Sequence, residues 1–191
     1  MMDRQDRDAK LILIIGYTGT GKTTIVKRLV MNELKKPNGR ALVITPDDME
    51  WVFFPLVNPR FPDRIAKYVK ARRMIYDSNT LNYVTTNVNR QLLIFDDCRS
   101  YLGGATEQDL HTLLIRRRQH EIDIIAVAHG FTEIPPKFFT FASDIILFKT
   151  IDNIHRRKDV LRDFEAMKAA QLRINAQAIT KPHHYEWIKQ V

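Results

Sequence analysis

The stretch Leu11-Ile12-Leu13-Ile14-Ile15, followed at once by Gly16-Tyr17-Thr18-Gly19-Thr20-Gly21-Lys22-Thr23, decides how this chain is read. Five apolar residues in a row predict a buried strand, and the eight that follow match G-x-x-x-x-G-K-[ST]. A helix is expected from Thr23 to Lys35, with Ile25, Leu29, Val30 and Leu34 on one face. Glycines 16, 19 and 21 let the backbone curl with its N–H groups turned inward around a phosphate chain, and the positive end of the helix adds to their pull. Lys22 is placed to reach the β- and γ-phosphates and Thr23 to hold Mg²⁺. Gly16, Thr18, Gly19, Thr20, Gly21 and Thr24 complete a loop suited to a nucleoside triphosphate.

Outward from this loop, strands and helices alternate, which predicts an α/β fold: a P-loop NTPase, a three-layer sandwich with a mostly parallel central sheet and helices on both faces. A second strand is expected over Arg40 to Thr45. Residues 49–62 are aromatic and proline-rich without a period and read as a loop. Pro62 is expected to open a helix through about Tyr76, with Ile65, Tyr68, Val69 and Arg72 at helical spacing. Asn79 to Asn89 fits either a short helix or a strand. Gln91 to Phe95, Ile122 to Ala128 and Asp144 to Phe148 read as further buried strands. Gly103-Gly104 marks a loop, Thr106 with Asp109 makes a capping box for a helix through Arg118, and Gly130 to Ala142 is a stiff proline-bearing connection. From Ile151 onward an amphipathic helix over Asp159 to Ala176 and a closing strand at Tyr185 to Ile188 are expected. The division is a charged tail (1–10), a core (11–150) and a C-terminal helix-and-strand extension packed on it (151–191).

A length of 191 residues suits one domain with a substantial core, and no apolar run approaches the ~20 residues of a membrane span. The charged start of the chain is unlike a secretion signal, so a cytoplasmic location is expected. Cys98 is the single cysteine, which excludes an internal disulfide and a cysteine zinc cluster. The net charge of +8 favours an anionic partner, nucleic acid being the commonest, against a solvated surface neutralised by a neighbouring subunit.

Asp96 ends the strand Leu92 to Phe95 and is placed to hold Mg²⁺ beside Thr23; Asp97 can orient or deprotonate an attacking water, or cap the loop. His129 closes the Ile122 to Ala128 strand, where it either contacts the γ-phosphate or the attacking water or satisfies loop carbonyls. Arg116-Arg117-Arg118 either complements its helix dipole or supplies a finger to a neighbouring subunit's γ-phosphate, with Arg117 and Arg118 preferred by phase. The clusters Arg64/Lys67/Lys70/Arg72/Arg73 and Arg156/Arg157/Lys158 offer nucleic-acid contacts or solvated faces. His183-His184 lacks the partners of a metal site, and Cys98 reads as a small buried residue.

Taken together, GYTGTGKT (16–23), LLIFDD (92–97) and RRRQHEIDIIAVAHGFTEIPPKFFTFASDIILFKT (116–150) resemble the HerA/FtsK superfamily of P-loop ATPases, and most closely the viral genome-packaging ATPases. The resemblance covers about residues 11–150. It implies a Mg²⁺-dependent, ATP-driven DNA motor, a homo-oligomeric ring, hexameric in that family's manner, with nucleotide at subunit interfaces. DNA is held without sequence preference by basic pore-facing surfaces, and a capsid vertex is an implied docking partner. The implied location is the cytoplasm of an infected host cell, with association with the virion left open. Two residues depart from the family pattern: Asp97 where glutamate is usual, and His129 where glutamine is usual. The rival readings are a zonular-occludens-toxin-like ATPase of filamentous phage assembly, a P-loop small-molecule kinase, and a nucleotide-gated switch.

Overall fold

The computed structural model describes residues 7–47, 49–58, 70–101 and 104–190. Its frame is a seven-stranded sheet in the order β3-β2-β4-β5-β1-β6-β7. The strands are β1 (Leu11–Ile15), β2 (Ala41–Thr45), β3 (Ala71–Ile75), β4 (Leu92–Phe95), β5 (Asp123–Ala128), β6 (Asp144–Phe148) and β7 (Tyr185–Lys189). The first six are parallel, and β7 pairs antiparallel with β6. Strands covered on both faces tolerate uninterrupted apolar runs, and β1, β2, β4 and β6 are buried at every residue.

The two faces are covered unequally. Helix α1 (Lys22–Leu34) buries Ile25, Val26 and Val30 against Ile12, Ile14, Ile125 and Val127. Each such side chain contributes roughly 1.5–3 kcal/mol relative to exposure. The opposite face carries α2 (Thr80–Asn87), α3 (Gly104–Arg116), α4 (Pro136–Phe141) and α5 (Phe164–Gln177), which seat Leu81, Leu113, Phe138 and Ile174 in one core with Leu13, Phe95 and Leu147. The ambiguous stretch from Asn79 to Asn89 is therefore helical: Leu81, Val84 and Val88 fall three and four apart and all are buried.

The chain departs from the sequence reading at three places. The helix expected to run through Tyr76 is, over its last part, the edge strand β3, in register with β2 from Ala41↔Ala71 to Thr45↔Ile75. Pairing with an exposed strand edge and burial of Met74 override the local helical spacing. The start of that expected helix at Pro62, with Arg64 and Lys67, lies outside the described residues, as does Gly103. Helix α3 already runs from Gly104, so Thr106 lies within its first turn rather than ahead of it as a cap. Helix α5 begins only at Phe164, because the Asp163 carboxylate accepts from the Ala166 backbone N–H at 2.9 Å and sets the N-terminus there. Among the described residues no helix is long and apolar enough to cross a membrane.

Candidate nucleotide-binding and hydrolysis site

Parallel strands leave their carboxyl ends along one edge of the sheet, and ligands of such sheets bind there. The segments that follow β1, β4 and β5 carry the phosphate loop, Asp96-Asp97 and His129. Strand β5 lies between β4 and β1, so His129 emerges between the acidic pair and the loop.

The loop is tied at its base: Gly16 N–H donates to Ala128 O at 3.1 Å and Tyr17 N–H to Lys149 O at 2.9 Å. A Cβ on Gly16 would stand 2.4 Å from Phe148 Cβ, so only glycine lets the loop leave the sheet at this point. Gly21 opens α1 at φ 102°, a left-handed conformation that side chains strain to adopt. Gly19 also has positive φ (79°), and nothing lies within 4 Å of where its Cβ would be, so the crown of the loop is open to a ligand. Thr20 is buried and donates to Tyr17 O at 2.7 Å, while Thr18, Thr23 and Thr24 are exposed.

Lys22 is folded back into this loop, its Nζ donating to Gly16 O at 2.6 Å and Tyr17 O at 2.9 Å. Burial lowers its pKa, opposed by the charges of Asp96, Glu133 and Asp97. His129 Nδ1 stands 3.3 Å from Thr18 Oγ1 and 3.5 Å from Lys22 Nζ. The His129 backbone N–H donates to Glu133 Oε2 at 2.8 Å, and its carbonyl accepts from Thr150 Oγ1 at 3.3 Å. The imidazole thus faces the loop while the backbone on either side of it is fixed.

Asp96 is held by a residue that sequence reasoning missed. The Trp51 indole Nε1 donates to Asp96 Oδ2 at 2.7 Å, and Trp51 is buried with φ 56°, an uncommon value for a bulky side chain. Glu50 is exposed as a residue, yet its carboxyl is pushed up to about 7 by partial loss of water, then by its hydrogen bond to Asp96 and that group's charge. Both lie in the aperiodic aromatic stretch, where the composition marked a loop and nothing marked a partner for Asp96. Asp97 has φ 57°, and its Oδ1 is buried with no hydrogen-bond partner among the described residues. An orphaned carboxylate oxygen next to Asp96, on the edge that carries Lys22, fits a water or hydrated cation that arrives with nucleotide. Mg²⁺ needs only one or two carboxylates when substrate phosphates supply other oxygens, so Thr23 and Asp96 are residues that could hold such an ion. Cys98 is fully buried and its thiol is pushed up by burial and by the charges of Asp97 and Asp96, which leaves it inert.

No protein-family model matches the chain, and no curated protein matches it. Solved structures do match. The DNA-packaging ATPase B204 of Sulfolobus turreted icosahedral virus superposes with a TM-score of 0.65 at 15% identity, over 97% of this chain and 99% of that one. The genome-packaging NTPase B204 of Sulfolobus turreted icosahedral virus 2, in complex with AMP, gives 0.64 at 14% identity, over 94% and 92%. The same protein in complex with AMPPCP gives 0.60 at 12% identity, over 95% and 98%. The chain has the P-loop NTPase fold.

In this fold the arginine run, read as a source of a finger for a neighbouring subunit, lies far from the phosphate loop of its own chain. Arg117 is buried, its guanidinium donating to Leu114 O at 2.6 Å, Ala9 O at 3.1 Å and Phe141 O at 3.5 Å. Ala9 precedes β1 and Phe141 precedes β6, so Arg117 sits at the amino-terminal edge of the sheet, opposite the phosphate loop. This corrects the preference for Arg117 as a finger: a guanidinium spent on backbone carbonyls of its own chain is withdrawn from a neighbour. Arg116 and Arg118 are exposed. The basic clusters break up in the same way. Arg72 is buried in β3, Arg73 Nε donates to Phe54 O at 3.2 Å, and Arg157 donates to the carbonyls of Phe131, Thr132 and Ile134. Lys70, Arg156 and Lys158 stay exposed.

Proposed function

We propose that this chain is a Mg²⁺-dependent ATPase of the HerA/FtsK type that moves DNA through a ring of its own copies during packaging of a viral genome. The observation that carries the proposal is the meeting of Lys22, His129 and the acidic pair Asp96-Asp97 on one open edge of the sheet. Lys22 leaves the carbonyls of Gly16 and Tyr17 for the β- and γ-phosphates, and the N–H groups of the loop hold the rest of the phosphate chain. Thr23 and Asp96 would hold Mg²⁺, which when bound would supply positive charge to the phosphate oxygens. Asp97 orients the attacking water and accepts its proton; His129, against Thr18, reads the presence of the γ-phosphate.

The arginines support a shared site. Arg116 and Arg118 lie toward the edge of the sheet remote from their own phosphate loop, so they serve a nucleotide only when it is bound to another copy. Arg118 is the finger in this account. Two of the B204 structures, the DNA-packaging ATPase and the genome-packaging NTPase in complex with AMPPCP, support the same reading. The net charge of +8 suits a surface that tracks a phosphate backbone without reading sequence. A hexameric ring docked at a capsid vertex, working in the cytoplasm of the infected host cell, is the setting that accords with these parts.

The test is binding of a fluorescent ATP analogue alongside phosphate release, with Mg²⁺ and with EDTA. Mg²⁺-dependent release that Lys22→Ala abolishes is expected. Failure of the wild-type chain to bind any nucleoside triphosphate, or transfer of phosphate to a small acceptor in place of water, contradicts the proposal.

A further inference from the structure

Arg72 is 4% exposed and charged, and among the described residues no carboxylate pairs with it. Its Nη2 donates to Gln91 Oε1 at 2.6 Å, and its Nε has no hydrogen-bond partner among the described residues. It opens onto a cavity of about 60 Å³ between β2, β3 and α2, lined on its polar side by Arg40, Tyr83, Asn87 and Gln91 and on its apolar side by Leu42, Val57 and Val88. Arg40, the second cation there, donates to the Asn89 carbonyl and side-chain oxygens, which are neutral. Among the described residues no acidic side chain lines the cavity. Burial lowers the pKa of Arg72, Tyr83 opposes that shift and the charge of Arg40 adds to it, yet a guanidinium titrates so high that it stays charged.

We propose that this cavity binds a small inorganic anion, of halide or phosphate size, between Arg72 and Arg40. A buried charge is retained when it is paired, and here the pairing group does not come from the described residues. The space is several times the ~10–15 Å³ that admits one water, so an anion with a water fits. The Nε of Arg72, unpartnered beside an Nη2 that is already bonded, is the donor that a chloride or an oxyanion drawn into that space would engage. Arg40 precedes β2 and Gln91 precedes β4, so the cavity lies at the amino-terminal edge of the sheet, away from the phosphate loop. Its occupant is therefore distinct from nucleotide or released phosphate at the catalytic edge. The anion would fasten β3, the outermost strand of the sheet, to β2 and α2.

The test combines thermal unfolding of the full chain with a bromide-soaked crystal. Melting is followed at constant ionic strength while gluconate is exchanged for chloride, and separately while inorganic phosphate is added. Lys22→Ala is run in parallel, so that phosphate bound by the catalytic loop is set apart. A saturable rise in Tm, on the order of 5 °C at a hundredfold excess over Kd, is expected in wild type and in Lys22→Ala, and its loss in Arg72→Met. An anomalous bromide peak between Arg72 and Arg40 identifies a halide site. A Tm response to phosphate alone, with tetrahedral density in the cavity, identifies an oxyanion site. If Arg72→Met does not fold, the crystal decides. Water alone in the cavity, with Tm indifferent to the anion or a response that persists in Arg72→Met, overturns the proposal.

Discussion

The Trp51 indole N–H donates to Asp96 Oδ2 at 2.7 Å, which ties the carboxylate at the end of β4 to the loop that follows β2. The ring is held in turn by Phe54 stacked at 5.8 Å and by Lys27 Nζ, 5.9 Å from the ring centre on the first helix. The metal ligand of the proposed mechanism is thus oriented from outside its own strand. Trp51→Phe keeps a ring in place and removes the donor. Turnover is expected to fall about tenfold, the loss of one hydrogen bond to a charged group, with metal-free nucleotide affinity unchanged. In a Trp187→Phe background Trp51 is the only tryptophan, and its emission should change when Mg²⁺ is added to the ATP complex. A kcat and an Mg²⁺ dependence equal to wild type in Trp51→Phe argue against this role.

Lys22 bonds to Gly16 O and Tyr17 O, contacts that it exchanges for phosphate in the proposed mechanism. Lys22→Ala removes the clamp, and hydrolysis should drop by at least ~10²-fold. Phosphate release under saturating ATP measures this.

Asp97 presents a buried, unpartnered Oδ1 beside Asp96. Asp97→Ala should leave ATP bound but slow hydrolysis by roughly 10²–10⁴-fold, the usual worth of a positioned base. Asp97→Glu, which restores the longer side chain of the resembling family, should retain turnover. Normal hydrolysis in Asp97→Ala would reject the assignment.

Arg117 and Arg118 should separate cleanly. Arg117→Ala leaves three backbone carbonyls without their donor and should cost about 2–4 kcal/mol, read as a lower Tm. Arg118→Ala should leave Tm unchanged and, mixed with wild-type chains, lower turnover more than in proportion to its share. A proportional fall instead would show that Arg118 serves no neighbouring site.

How far the sequence could be read depended on whether the signal was local. Strands β1 and β6 coincide with their apolar runs, because burial on both faces writes itself as unbroken hydrophobicity. The phosphate loop was legible for the same reason: its glycines answer to local backbone demands, as the positive φ at Gly19 and Gly21 shows. Strand β3 was not, since Ala71-Arg72-Arg73-Met74-Ile75 carries two arginines and takes its extended form from pairing with β2. The Trp51–Asp96 bond spans 45 residues and leaves no periodic trace in either segment. Arg117 had the right residue type and an acceptable helical phase, but its burial depends on carbonyls at Ala9 and Phe141, far away along the chain.

The measurement that bears most directly on the central claim is steady-state ATP hydrolysis by the purified chain with Mg²⁺, with and without DNA, over a range of protein concentration. The account predicts turnover that DNA stimulates and that climbs more steeply than linearly with protein, as sites completed by neighbouring copies require. Tight ATP binding with negligible turnover, indifferent to DNA and to protein concentration, would contradict it and point to a nucleotide-gated switch or a kinase awaiting its acceptor.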